Sequence, residues 1–181
     1  MRFAERMPSL DLGRHRPEAS MDATELLKRQ HAEVKKLFGQ FERAQDEQDK
    51  RSVFEEIADD LAAHSEIEQK LFYPAVCVGD LKEELQEAVE QHLNIKRLIA
   101  VLLDLNAADE SFDAKMKVLR DQVEHHVGEE EEELFPKVKR YFNSQELKAL
   151  GTEMEAMFNE VKNQEPRQPV LSQTEEAVPL E

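Results

Sequence analysis

From about Asp22 to Tyr141, apolar residues recur at intervals of three and four, the period of a helix with one buried face. Short polar breaks divide the pattern into four long segments. The first, Asp22 to about Ala44, opens with Asp-Ala-Thr-Glu, an acid followed three residues later by Glu and close to a capping box. Leu27, His31, Val34, Phe38 and Phe41 form its stripe. The second, about Asp49 to Tyr73, carries Phe54, Ile57, Leu61, His64, Glu68 and Leu71. The third, about Asp80 to Leu105, carries Leu85, Val89, His92, Ile95, Ile99 and Leu102. The fourth, about Ser111 to Tyr141, carries Phe112, Met116, Leu119, Val123, His126, Glu130 and Leu134. As helices these segments are each about 35 to 45 Å long. Such lengths with such short connections predict an all-α fold, an antiparallel up-and-down four-helix bundle.

A shorter fifth segment, capped by Ser144, sets Leu147, Leu150, Met154, Phe158 and Val161 on one stripe, an additional C-terminal helix that packs on the bundle or meets a second copy. Residues 1–20 hold four Arg, three acids and two Pro without helical or strand period, so they read as a flexible N-terminal arm. Residues 163–181, with three Pro and scattered apolar residues, read as a disordered C-terminal tail contributing no core. The folded unit is thus expected over 21–162.

Composition narrows the function. Among 181 residues, 24 Lys and Arg oppose 40 Asp and Glu, a formal net charge of −16. With that acidic excess and no cluster of basic and aromatic residues, neither nucleic acid nor an anionic membrane is an expected partner. The longest apolar run, Leu98 to Leu105, is broken by Asp104 and too short to span a bilayer. Cys77 is the single cysteine, which excludes an internal disulfide, and the N-terminus lacks the apolar core of a secretion signal; a cytoplasmic protein is expected, a monomer or weak homodimer.

The chemistry lies in an internal repeat. Gln-His-Ala-Glu-Val-Lys-Lys-Leu-Phe at 30–38 matches Gln-His-Leu-Asn-Ile-Lys-Arg-Leu-Ile at 91–99. His-Ser-Glu-Ile-Glu at 64–68, with Pro74 beyond it, matches His-Val-Gly-Glu-Glu at 126–130, with Pro136 beyond it. Two helical hairpins of one design follow. Within them His31, His64, Glu68, His92, His126 and Glu130 all fall on interior stripes among Leu, Ile, Val and Phe. An ionised carboxylate buried there without a partner is prohibitively costly. Residues i and i+4 share a helix face, so His64 with Glu68, and His126 with Glu130, converge on one point, and one histidine from each remaining helix completes the set. Six such residues on four helices predict a metal site. Imidazole with carboxylate suits iron or manganese, with zinc a further option, and the lack of a cysteine cluster argues against an iron–sulfur centre. The pseudo-two-fold repeat predicts two ions, each taking two histidines, with Glu68 and Glu130 bridging.

Neighbouring residues enter as alternatives. His125 precedes His126 and lies about 100° round the helix, so only a shift of one residue would make it the ligand. Glu131 would replace Glu130 if the helix were locally irregular. Tyr73 and Tyr141 follow the two motifs; either is able to donate a hydrogen bond near the site, with amphipathic packing the simpler role.

Over about residues 24–141 the doubled His-x-x-x-Glu, with one histidine on each intervening helix, resembles the hemerythrin-like, or HHE cation-binding, family of non-haem di-iron four-helix bundles. The resemblance implies two iron ions with an oxide or hydroxide bridge, held by His31, His64, Glu68, His92, His126 and Glu130. It also implies a function in binding or reacting with oxygen, peroxide or nitric oxide, with catalase-like or peroxidase-like activity as one form and an iron- or oxygen-sensing module without turnover as the alternative. Oxygen-carrying hemerythrins have a second histidine on the third helix, four residues from the first. Here those positions are Ala88 and Lys96, so the chain is closer to the more symmetric branch that lacks the fifth histidine.

Overall fold

The computed structural model describes residues 21–175, which are helical throughout with short connections. The elements are α1 (Ala23–Phe41), α2 (Glu47–Ile67), a π-helical turn π1 (Glu68–Phe72), α3 (Tyr73–Val76), α4 (Lys82–Asp104), α5 (Glu110–Glu129), a second π-helical turn π2 (Glu130–Leu134), α6 (Phe135–Tyr141), α7 (Ser144–Lys162) and α8 (Arg167–Val170). Four long rods result, because α2, π1 and α3 run on as one helix, as do α5, π2 and α6.

Local chemistry sets the helix starts. Asp22 caps α1 by accepting from the Glu25 backbone N–H while the Glu25 carboxylate accepts from the Asp22 N–H, so the expected capping box is present. Asp46 caps α2 in the simpler way, accepting from the Asp49 N–H at 2.8 Å. The fifth long helix is capped by Asn143, not by Ser144. Asn143 accepts from the Gln145 and Glu146 N–H groups while the Glu146 side chain closes the box, leaving Ser144 as the first helical residue.

The interior is a sandwich along the bundle axis. One apolar core gathers Leu26, Leu27, Ile67, Phe72, Leu85, Val89, Leu134 and Phe135 with Leu147, Met154 and Phe158 of α7. A second gathers Val34, Phe38, Phe54, Ile57, Leu61, Ile95, Ile99, Leu102, Phe112, Met116, Leu119 and Val123. Along each rod the chain passes from one core to the other through a histidine: Leu27, His31, Val34 on α1; Leu61, His64, Ile67 on α2; Val89, His92, Ile95 on α4. On the fourth rod Val123, His126 and Leu134 do the same. A polar layer therefore lies between two apolar cores, on all four rods at one height.

The fifth helix, α7, packs on α1 and α2 through Leu147, Gly151, Met154 and Phe158. Gly151 is required there, since a Cβ at this position would stand 2.4 Å from the Met21 carbonyl oxygen and 2.8 Å from the Ala23 nitrogen.

The expectation of a tail without core is corrected over residues 166–170. Val170, on the short helix α8, is 1% exposed within the second core. Arg167 pairs with Asp59 of α2. Pro166, Pro169 and the polar residues around them hid this short helix from a reading by period. The expected arm, 1–20, and residues 176–181 lie outside the described residues.

Candidate metal centre

All six residues singled out in the sequence meet in the polar layer. His31, His64, Glu68, His92, His126 and Glu130 are each 7% exposed or less. One group of donor atoms comes from His31, His64, Glu68 and Glu130, and a second from His64, Glu68, His92 and His126; within each, the atoms lie within 4.8 Å of one another. His31 Nε2 and His64 Nε2 are 3.3 Å apart, and His92 Nε2 and His126 Nε2 3.0 Å. The carboxylates span the two pairs. Glu68 Oε2 is 3.1 Å from both His64 Nε2 and His92 Nε2, and Glu130 Oε2 is 3.3 Å from His31 Nε2 and 3.6 Å from His126 Nε2.

The outer ring nitrogens explain how the imidazoles are aimed. His64 Nδ1 donates to Gln30 Oε1 and His126 Nδ1 to Gln91 Oε1, each at 2.9 Å. The Gln91 amide is oriented in turn by donating to Glu129. His31 Nδ1 donates to Glu131 Oε1 at 2.8 Å. A proton on Nδ1 leaves the Nε2 lone pair pointing into the layer. In the His31–His64 pair two such lone pairs face each other at 3.3 Å, which is repulsive unless a proton or a cation sits between them. The carboxylates make the same demand: Glu68 Oε1 and Glu130 Oε2 are buried and lack a hydrogen-bond partner among the described residues. Convergent lone pairs with unpartnered carboxylate oxygens in a dry layer fit a bound cation.

Protonation follows from burial and these neighbours. Burial pushes His126 down to about 4 despite the pull of Glu130, so it is neutral at physiological pH, as a ligand must be. Burial opposes protonation of His31 as well, but Glu130, Glu68 and Glu131 outweigh it and raise this ring above its ordinary value. For Glu68, burial favours the neutral acid, yet His64 and His92 hold the carboxyl well below its usual range.

The neighbouring candidates lie outside the cluster of six. His125 is exposed and pairs with Glu129 at 3.2 Å, while His126 is interior. The fourth rod is indeed locally irregular at π2, yet Glu130 keeps the interior place and Glu131 moves over the outer edge of His31. Tyr141 is exposed and donates to Asp80.

Tyr73 is the residue that helical periodicity undervalued. It is fully buried, and its hydroxyl donates to Glu130 Oε1 at 2.9 Å, with Glu68 Oε2 3.4 Å away. On a regular α-helix residues five apart lie roughly 140° apart. The π-turn beginning at Glu68 adds a residue to the turn, the Tyr73 N–H reaching the Glu68 carbonyl, so i and i+5 share a face. Leu71 is accordingly only half-buried, and Phe72 takes the interior. Burial, then the Glu130 and Glu68 charges, push the Tyr73 hydroxyl well above its ordinary value and keep it protonated.

Along α1 and α5 a groove of about 560 Å³ is lined by Lys28, His31, Lys35, Arg120, Gly128 and Glu131.

Comparison with known proteins agrees with this architecture. The structure matches a hemerythrin HHE cation-binding domain-containing protein of Mycobacterium kansasii with a TM-score of 0.71, at 25% identity over 80% of this chain and 89% of that one. An uncharacterized Mycobacterium tuberculosis protein is 26% identical over 144 residues, 78% of this chain and 88% of that protein. A DNA nickase of a Nostoc species is 26% identical over 142 residues, but the matched segment spans only 40% of that protein's length. No described helix is long and apolar enough to cross a membrane. The hemerythrin HHE cation-binding domain model matches residues 22–138, most of the four-rod bundle, and the chain belongs to that family.

Proposed function

We propose that the chain holds two iron ions in the polar layer and that dioxygen, peroxide or nitric oxide binds there. One observation carries this reading: four imidazole Nε2 atoms and two carboxylates, divided into two histidine pairs with a carboxylate reaching across both, in a layer sealed above and below by apolar cores. The division into pairs supports two ions. Imidazole with carboxylate and no thiolate suits iron or manganese, with zinc a further option, and the family resemblance favours iron.

Iron bound here supplies a ferrous–ferric couple and a place for a small ligand. The protein's own part is positional. Gln30, Gln91 and Glu131 fix the ring tautomers, so that the ligand lone pairs are aimed before any cation arrives. The Tyr73 hydroxyl donates to Glu130 at 2.9 Å and so keeps a proton beside the centre. The cores flank the layer on both sides, and His31 borders a surface groove of about 560 Å³.

The deciding experiment is elemental analysis of protein purified in air, with its near-ultraviolet absorption. Two irons per chain are expected, with loss of iron in His64→Ala and Glu130→Ala. Mixing with peroxide and following oxygen evolution then tests for catalase-like turnover. Peroxide left untouched, with a melting temperature that tracks iron content, would instead mark a sensing module. No iron, and no shift in melting on adding ferrous ion, would overturn the reading.

A further inference from the structure

The two halves of the repeat supply matching residues around the centre, and two of those matches are broken. Gln30 and Gln91 are equivalent in sequence and do the same work, each accepting from the Nδ1 of a histidine on the neighbouring rod. The residues after the two glutamates, Gln69 and Glu131, are also equivalent and each faces the Nδ1 of the remaining histidine. Their chemistry differs. Glu131 is a carboxylate 2.8 Å from His31 Nδ1, whereas Gln69 presents its amide nitrogen to His92 Nδ1 at 3.4 Å.

Lys96 is what turns the Gln69 amide that way. Its ammonium donates to Gln69 Oε1 at 3.2 Å, which commits that oxygen and leaves the NH₂ facing His92. The equivalent residue in the first half, Lys35, is exposed, whereas Lys96 is 7% exposed. The pairing of Lys96 with Gln69 therefore has no counterpart between Lys35 and Glu131 among the described residues.

A histidine that ligates through Nε2 carries its proton on Nδ1 and needs an acceptor there. His31 has a carboxylate, the acceptor that most increases the basicity of the ligating nitrogen, and His92 has a donor. For His92 to ligate, the Gln69 amide must turn over; its NH₂ then meets the Lys96 ammonium, donor against donor. Resting on the reading that the centre holds two ions, we infer that Glu131 makes the His31–His64 position the strong one, while Lys96, acting through Gln69, makes the His92–His126 position the weak and exchangeable one. Lys96 and Gln69 are positioning residues: neither reaches the ions, and both set how readily His92 is presented.

The test is titration of metal-free protein with Co(II) under anaerobic conditions, followed by visible absorption and by calorimetry. The native chain is expected to bind two ions in separate steps, the second weaker by roughly ten- to a hundredfold, the range by which such outer hydrogen bonds alter metal affinity. Lys96→Met and Gln69→Glu should each tighten the second step about tenfold and leave the first unchanged. Lys96→Arg, which keeps the donor, should retain the weak second step, and Glu131→Gln should weaken the first. Gln69→Glu is nearly isosteric and keeps the test open should Lys96→Met fail to fold. Two steps that stay put in both Lys96→Met and Gln69→Glu, or Lys96→Arg behaving like Lys96→Met, would overturn this inference and leave the two-ion reading standing. Binding of one ion or none by the native chain would overturn both.

Discussion

Tyr73 and Phe135 occupy the same place in the two halves of the chain, each immediately before the proline that follows its motif, and each lies face-on to a histidine of the opposite half. The Tyr73 and His92 rings are 5.7 Å apart with 21° between their planes; those of Phe135 and His31 are 6.1 Å apart at 8°. Ring for ring the halves are alike, but the hydroxyl on Tyr73 gives Glu130 a donor for which the opposite half has no counterpart. Tyr73→Phe keeps the stacking and removes only that donor. A buried hydrogen bond to a carboxylate contributes about 1–3 kcal/mol, so the metal-free variant should unfold earlier in urea by that amount. Iron stoichiometry should be unchanged, since no ligand is lost. A variant as stable as the native chain would mean that Glu130 finds a replacement partner.

Stability of the metal-free protein should peak near pH 6.5 and decline on both sides. His126, depressed from 6.5 to about 4, takes up a proton in the unfolded chain before it does so in the folded one. Stability therefore falls as pH drops from about 6.5 to about 4, by on the order of 3 kcal/mol for this group. Glu68 adds to the acid loss: its depressed carboxyl contributes stability above 4.5, and that contribution disappears as pH falls toward its folded value. His31 acts on the other side. Raised above 6.5 by Glu130, Glu68 and Glu131 against the opposing effect of burial, it contributes fully below 6.5 and loses that contribution as pH climbs through its folded value. Urea midpoints across pH 4 to 9 in chelator check the shape, and His126→Gln should flatten the acid limb.

The bundle and its polar layer were legible in the sequence because they rest on period and repetition, which survive without any knowledge of contacts. Every stripe residue on α1, α4 and α5 is buried as its spacing requires. What escaped were features that break the period. The π-turns at Glu68 and Glu130 shift the face by one residue, which hides Tyr73 from a reading at 100° per residue. Glu131 illustrates the same point: local irregularity at π2 does not put it in the place of Glu130 but carries it to the Nδ1 edge of His31. Lys96 stands four residues beyond His92, one of the two positions where the oxygen carriers' further histidine would be expected. Its tie to Gln69 depends on a contact between rods, which no single stripe encodes.

Gly151 and Gly128 should respond oppositely to alanine. At Gly151 the new methyl would meet the backbone of Met21, Asp22 and Ala23 at 2.4 to 2.9 Å, so α7 must separate from the start of α1. Backbone cannot swing aside as a side chain can, and a cost of about 2–3 kcal/mol is expected. Because α1 carries both His31 and Gln30, metal affinity should fall as well. At Gly128, inside α5, a Cβ meets nothing within 4 Å, and removing helix-interior glycine should stabilise by about 0.5–1 kcal/mol. Paired thermal melts of the two variants decide this; equal effects would contradict the close approach at Gly151.

The short helix α8 should behave as a unit fastened at two points. Val170 fills a place in the second core against α2 and α4, and Arg167 pairs with Asp59 and lies 3.7 Å from Glu55 of α2. The Arg167 backbone N–H also donates to Asp59 Oδ1 at 3.1 Å, so the start of the helix is held by the same carboxylate as its side chain. Val170→Ala removes two buried methyl groups, at a cost of about 1–2 kcal/mol. Arg167→Ala leaves the Asp59 carboxylate without its cation, at a comparable cost of about 1–2 kcal/mol. Both anchors sit on one rigid helix of four residues, so displacing either moves the other. Losing one anchor should therefore release the other, and the double variant should be scarcely less stable than the worse single one. Urea midpoints for the four proteins of this cycle measure the coupling directly. Strict additivity would show that Val170 and Arg167 hold their places independently.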